Sequence, residues 1–150
     1  MKTKIIPMFH PYITERMKQE VMDTLETRWL GQGPKCDIFE EKLKEVFKIQ
    51  YPVAVNSGTS ALALAYHLLD IKEGDEVIVS VLNCSADATA LVHRKATIVF
   101  ADIKRETMNI DPDDIKRKIT PKTKAIINVH LSGNPSNIPD FGIPVIGDYA

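Results

Sequence analysis

The chain has 150 residues, 44% of them hydrophobic and 26% charged, with 19 basic side chains against 20 acidic ones and a formal net charge of −1. That length and balance fit one globular domain with a sizeable core, and they give no general electrostatic reason to expect nucleic acid or an anionic membrane as partner. The start, Met1-Lys2-Thr3-Lys4-Ile5-Ile6-Pro7, lacks the apolar stretch of a signal peptide, and no run is long enough to span a bilayer, so a cytoplasmic protein is expected.

Thr14 can cap a first helix whose apolar stripe is Ile13, Met17, Val21 and Leu25, ending near Trp29-Leu30-Gly31. Pro34 then opens a second helix that runs to about Lys48. A short strand is expected at residues 53–55, and a helix follows from about residue 61. The Gly74-Asp75 turn leads into a strand at 76–79. A helix over 86–93 and a strand over 97–100 come next. Asp111-Pro112-Asp113-Asp114 reads as N-cap, first-position proline and acidic first turn of a helix ending near Ile119. Residues 124–129 and 144–147 supply two more apolar strands. Short apolar strands alternating with amphipathic helices predict a three-layer α/β/α architecture around a mainly parallel sheet. No repeat or low-complexity segment interrupts this order.

The two cysteines, Cys36 and Cys84, are far apart and lack CxxC or Cys/His spacing, which argues against a disulfide framework or a zinc site. Cys36 falls in the stripe Cys36, Phe39, Leu43, Val46 and Phe47 and is expected to be a small buried hydrophobe. His10, His67, His93 and His130 share no spacing with carboxylates or cysteines and read as structural, His130 alone lying at a strand end near the candidate site.

Two features carry chemistry. Asn56-Ser57-Gly58-Thr59-Ser60 joins the apolar run 53–55 to a helix. Gly58 lets the backbone approach an anion, and the free N–H groups of the helix start point at it. The Ser57, Thr59 and Ser60 hydroxyls either cap the helix or donate to a phosphate oxygen. Asp148 stands just past the strand Val145-Ile146-Gly147, at the carboxyl edge where ligands of parallel sheets sit. There it can bind a ribose hydroxyl, hold magnesium, cap a helix, or pair with a ring nitrogen.

Several stretches, in order, resemble the amino-terminal half of the DegT/DnrJ/EryC1/StrS sugar aminotransferases, pyridoxal-phosphate enzymes of the aspartate-aminotransferase fold type. They are Trp29-Leu30-Gly31-Gln32-Gly33-Pro34 with Phe39-Glu40, NSGTSALALA at 56–65, GDEVIV at 74–79, Phe100-Ala101-Asp102-Ile103, Asn109-Ile110-Asp111-Pro112, Thr123-Lys124-Ala125-Ile126, Val129-His130, and Pro144-Val145-Ile146-Gly147-Asp148-Tyr149-Ala150. The resemblance implies that Gly58, Thr59 and Ser60 hold the phosphate of pyridoxal 5′-phosphate and that Asp148 pairs with its pyridine nitrogen. It places Cys84 where the family sets a side chain over the ring, so Cys84 is either a ring contact or a packed core cysteine. Trp29 and Gly33 belong to a motif near the active-site mouth or subunit interface, with Trp29 equally readable as a core anchor.

Two departures from the pattern stand out. Gly147 replaces the acidic residue that commonly precedes the pyridine-binding Asp. The Schiff-base lysine of full-length members lies beyond this Asp, and no lysine of the chain occupies its place, so no catalytic residue is assigned and the chain alone is expected to be inactive. Residues 1–150 are thus expected to be the amino-terminal part of a cofactor-binding large domain, lacking its later strands and carboxyl-terminal domain. The parent implied is an aminotransferase of nucleotide-linked keto sugars, with glutamate as amino donor and a homodimeric assembly, without nucleic acid or membrane as partner. The alternatives are a sugar dehydratase relative, with histidine in place of the lysine, or a catalytically silent module that docks on a partner chain.

Overall fold

The computed structural model describes Pro7 and residues 10–149. The chain divides into two compact units, Met1–Ala54 and Val55–Ala150.

In the first unit, local signals make two helices. Helix α1 spans Glu15–Glu26, and Thr14 caps it: its hydroxyl accepts the Met17 N–H at 3.2 Å, and Met17 sulfur accepts the Thr14 N–H at 3.5 Å. Pro34 opens helix α2, Pro34–Phe47, which ends on Lys48 in the left-handed conformation. Neither helix buries a residue, and Met17, Val21 and Leu25 of the α1 stripe are 52%, 59% and 49% exposed. Polar contacts join the two helices, with Lys35 Nζ donating to the Glu20 carboxylate at 2.9 Å and to its carbonyl at 3.1 Å. Cys36 is a half-buried free thiol, less enclosed than its place in the stripe predicted.

Trp29, 60% exposed, is not a core anchor. Its indole Nε1–H donates to the Gln32 carbonyl at 2.8 Å, and a Cβ on Gly33 would lie 2.4 Å from that nitrogen. Gly33 is therefore what lets the ring fold back on its own loop. The strand expected at 53–55 does not form; residues 52–55 belong to no ladder, and the Ala54 N–H is taken by Glu40 Oε1 at 2.7 Å. A strand exists only through a partner, and no neighbouring strand among the described residues supplies one.

The second unit carries the sheet. Its elements are α3 Gly58–Leu68, β1 Glu76–Ser80, α4 Ser85–His93, β2 Thr97–Ala101, α5 Pro112–Lys118, β3 Thr123–Val129 and β4 Val145–Asp148. All four strands run parallel in the order β2-β1-β3-β4. Asp148 is the last residue of β4, paired with Val129, rather than just beyond the strand.

Alternation along the strands sorts the core into two faces. Val77, Val79, Ala125, Ile127 and Val129 pack with Leu62 and Tyr66 of α3 and with Ala90 and Leu91 of α4. Ile78 and Ile126 point the other way, into a cluster with Ala101, Ile110 and Ile115 of α5. Helices thus cover both faces, and β1 and β3 read as near-continuous apolar runs because neither face meets water. On the α5 side, Asp114 accepts the Asp102 N–H at 2.7 Å and pairs with Arg117 and Lys118, each at 2.9 Å. The Asp102 N–H above all, then Lys118, holds the Asp114 carboxyl down at about 2.

Candidate cofactor site

After β1 the chain passes to β2 on one side and returns to β3 on the other, so the loops above β1 diverge and leave a crevice at the carboxyl ends of the strands. A cavity of about 470 Å³ opens in this unit, lined by the start of α3 (Gly58, Thr59, Ala61, Leu62), by Cys84 and Ala86 after β1, and by Ile146, Gly147 and Asp148 of β4. That volume is in the range of small-ligand sites. The fold therefore brings together Gly58, Thr59, Cys84 and Asp148. Ser60 does not line the cavity.

The start of α3 explains that division. Ser57 is the N-cap and its hydroxyl accepts the Ser60 N–H at 3.2 Å, while the Ser60 hydroxyl donates to Asn56 Oδ1 at 2.7 Å and lies 3.0 Å from Ser57 Oγ. Ser60 is thus spent inside the cap. The N–H groups of Gly58 and Thr59 and the Thr59 hydroxyl meet no hydrogen-bond partner among the described residues. A Cβ built on Gly58 meets nothing within 4 Å, so the space beside these donors is open. Free N–H groups, an open approach and the positive end of a three-turn helix are the features that favour an anion.

At the β4 wall, Asp148 is half-buried, and its carbonyl accepts the His130 N–H at 2.9 Å. His130 is structural here: its Nδ1 accepts the Ser136 N–H at 3.1 Å and its ring stacks on Tyr149 with centroids 4.2 Å apart. The Tyr149 ring also occupies the space over Gly147, where a Cβ would lie 2.7 Å from it. An acidic side chain at Gly147 would have to move that exposed ring. Cys84, the N-cap residue of α4, is exposed on the cavity wall, so the packed-core alternative for it is wrong; the exposed loop after β1 sets it outside the sheet's two cores.

Sequence reasoning passed over Asp87. It sits in the first turn of α4, fully buried, and neither carboxylate oxygen has a hydrogen-bond partner among the described residues. Burial first, and the negative charge of Asp148 second, push its carboxyl up to about 6, with the Asn83 amide opposing the shift in part. The phenol of Tyr66 donates to the Asp87 carbonyl at 2.9 Å, and burial together with the charges of Asp87 and Asp148 raises its pKa well above the ordinary range. An acid between two alanines, in a helix otherwise apolar on its inner side, was the available signal.

Comparison with known proteins places the chain among characterised and solved relatives. The chain is 43% identical over 132 residues to the spore coat polysaccharide biosynthesis protein SpsC of Bacillus subtilis, a match covering 88% of the chain and 34% of SpsC. It is 41% identical over 136 residues to the GDP-perosamine synthase of Escherichia coli O157:H7, covering 90% and 37%. The chain spans about a third of the length of these curated relatives. Its fold superposes with a TM-score of 0.82 on a putative sugar aminotransferase, Spr1654, of Streptococcus pneumoniae, at 39% identity over 88% of the chain and 33% of that protein, whose structure is known in a PMP form and in a PLP form. The model of the DegT/DnrJ/EryC1/StrS aminotransferase family matches residues 11–143, and the chain belongs to that family.

Proposed function

We propose that these 150 residues form the cofactor-binding part of a pyridoxal-phosphate-dependent aminotransferase acting on nucleotide-linked keto sugars in amino-sugar and polysaccharide biosynthesis. The observation that carries the reading is that one cavity is lined both by unspent anion donors at the start of α3 and by the carboxylate-bearing end of β4. A dianionic phosphate and a protonatable ring nitrogen are the two ends of pyridoxal phosphate, and this cavity offers partners for both. The names of the relatives, a GDP-linked amino-sugar synthase among them, support the sugar class of the substrate.

In this reading the Gly58 and Thr59 N–H groups and the Thr59 hydroxyl hold the phosphate. Ser60 holds the cap that aims them. Asp148 keeps the proton on the ring nitrogen, and Cys84 lies against the ring, where its sulfur offers a polarizable contact of smaller area than an aromatic side chain. When bound, the cofactor supplies an electron sink for the bond that breaks at the amino-bearing carbon. The lysine that anchors the cofactor and moves the proton comes from outside residues 1–150, as do most contacts to the nucleotide sugar. The whole protein is a cytoplasmic homodimer with glutamate as amino donor.

Titration with pyridoxamine 5′-phosphate, followed by its fluorescence, tests this without needing the lysine. Saturable binding is expected. Asp148→Ala should weaken it at least about tenfold and Thr59→Val several-fold, while Ser60→Ala should cost less, since its hydroxyl is engaged with Asn56. No saturable binding, or an Asp148→Ala variant that binds as tightly as the parent, would sink the assignment.

A further inference from the structure

Resting on that cofactor reading, we propose that Asp87 is a second acid of the ring-nitrogen site, a positioning residue that acts on the bound ring through Asp148. No hydrogen bond of ordinary geometry ties this carboxylate into the fold among the described residues. Helix α4 has no side-chain cap hydrogen bond, Asp87 is fully buried next in sequence to the cavity-lining Ala86, and among the described residues only the Asn83 amide favours its charged form, without a hydrogen bond of ordinary geometry to either oxygen. The buried Ser80 hydroxyl, at the end of β1, is likewise without a partner among the described residues, and the Asn83 amide nitrogen has no bond of ordinary geometry beyond its influence on Asp87. Orphaned polar atoms on this scale are rare in a core, because each one forfeits its hydration without replacement.

The charged groups around Asp87 are few. On β4 it senses Asp148. On α3 it faces Tyr66, whose phenol is committed to the Asp87 carbonyl. On its own helix, His93 is exposed at the far end, and the following Arg94 is spent on the carbonyls of Ile71 and Ala63. Two carboxylates that repel in a low-dielectric interior are both relieved when a cation arrives beside one of them. The protonated ring nitrogen of the cofactor is such a cation. By linkage, its arrival lowers the proton affinity of Asp87, and an ionised Asp87 strengthens the hold of Asp148 on the ring proton.

The test uses pyridoxamine 5′-phosphate labelled with ¹⁵N in the ring, bound to the full chain and to Asp87→Asn, with the ring-nitrogen shift followed against pH. The midpoint for ring deprotonation should fall by about one pH unit in Asp87→Asn, with affinity about tenfold weaker above pH 7. That gap should close as the pH falls toward about 4, where the native Asp87 is protonated as well. A merely structural Asp87 moves thermal stability and leaves the ring midpoint unchanged, and that result overturns the inference while sparing the cofactor assignment. Absence of any binding to the unsubstituted chain removes both. Should Asp87→Asn fail to fold, the ¹³C carboxylate resonance of Asp87 in the native chain decides instead: its titration midpoint must fall when the ligand binds, and an unchanged midpoint overturns the inference.

Discussion

The two units use the same local grammar and reach different ends. Helix α1 has a complete capping box and an apolar stripe at helical spacing, yet buries nothing, whereas α4 has no side-chain cap and buries Asp87, Ala90 and Leu91. Helix formation is thus a matter of caps and spacing, while burial depends on having a sheet to cover. The second unit has that sheet, with two closed clusters on its two faces. The first holds its helices together through contacts such as Lys35 to Glu20, an exposed pair of the kind that contributes about 1 kcal/mol at most.

The sharpest way to break this contrast is to truncate one apolar side chain in each unit. Leu91→Ala, at a fully buried position, should cost about 2–5 kcal/mol in urea unfolding. Leu25→Ala, at a position 49% exposed, should cost under about 1 kcal/mol. Equal losses would mean that the α1 stripe is covered in solution and that the contrast is false.

A second prediction separates the buried acids of the two sheet faces by the sign of their pH dependence. Asp114 has a folded pKa depressed to about 2, so its contribution is present above the unfolded value near 4 and is lost as pH falls toward 2. Asp87 is the reverse. Its folded pKa is raised to about 6, so the stability it confers is present below about 4 and is lost as pH rises through 6. Asp87→Asn should therefore stabilise the ligand-free chain above pH 7 by on the order of 2–3 kcal/mol, an advantage that vanishes near pH 4. Thermal unfolding at the two pH values measures it. A stabilising substitution that weakens cofactor binding would mark Asp87 as kept for the ligand rather than for the fold.

The smallest expected effect belongs to the first unit. Thr14→Ala removes the hydroxyl that accepts the Met17 N–H and should lower helicity of α1 at a cost of about 1 kcal/mol, seen in circular dichroism, while leaving the sheet unit's unfolding midpoint in place. A shift of the whole unfolding transition would show the two units to be one cooperative body.

Much of this was legible beforehand. Thr14, Pro34 and Asp111 each open a helix where expected, and the four strands of the sheet begin and end within a residue or two of their apolar runs. Gly58 and Asp148, singled out together in the sequence, line one cavity. Residues 53–55 were misread because an apolar triplet states a capacity for pairing and not a partner. Ser60 was grouped with Gly58 and Thr59 because three consecutive hydroxyl or glycine residues look alike in one dimension; its rotamer, turned toward Asn56, is set by the cap.

The sequence by itself determined the helices, the four strands of the sheet and the family, because caps, prolines, glycines and hydrophobic periodicity act over a few residues. Tertiary structure alone decided that Asp87 and Asp148, carried on α4 and β4, feel one another's charge. That encounter follows from the placing of β3 between β1 and β4 in the sheet order and from the burial that removes water around Asp87, neither of which is encoded near either residue.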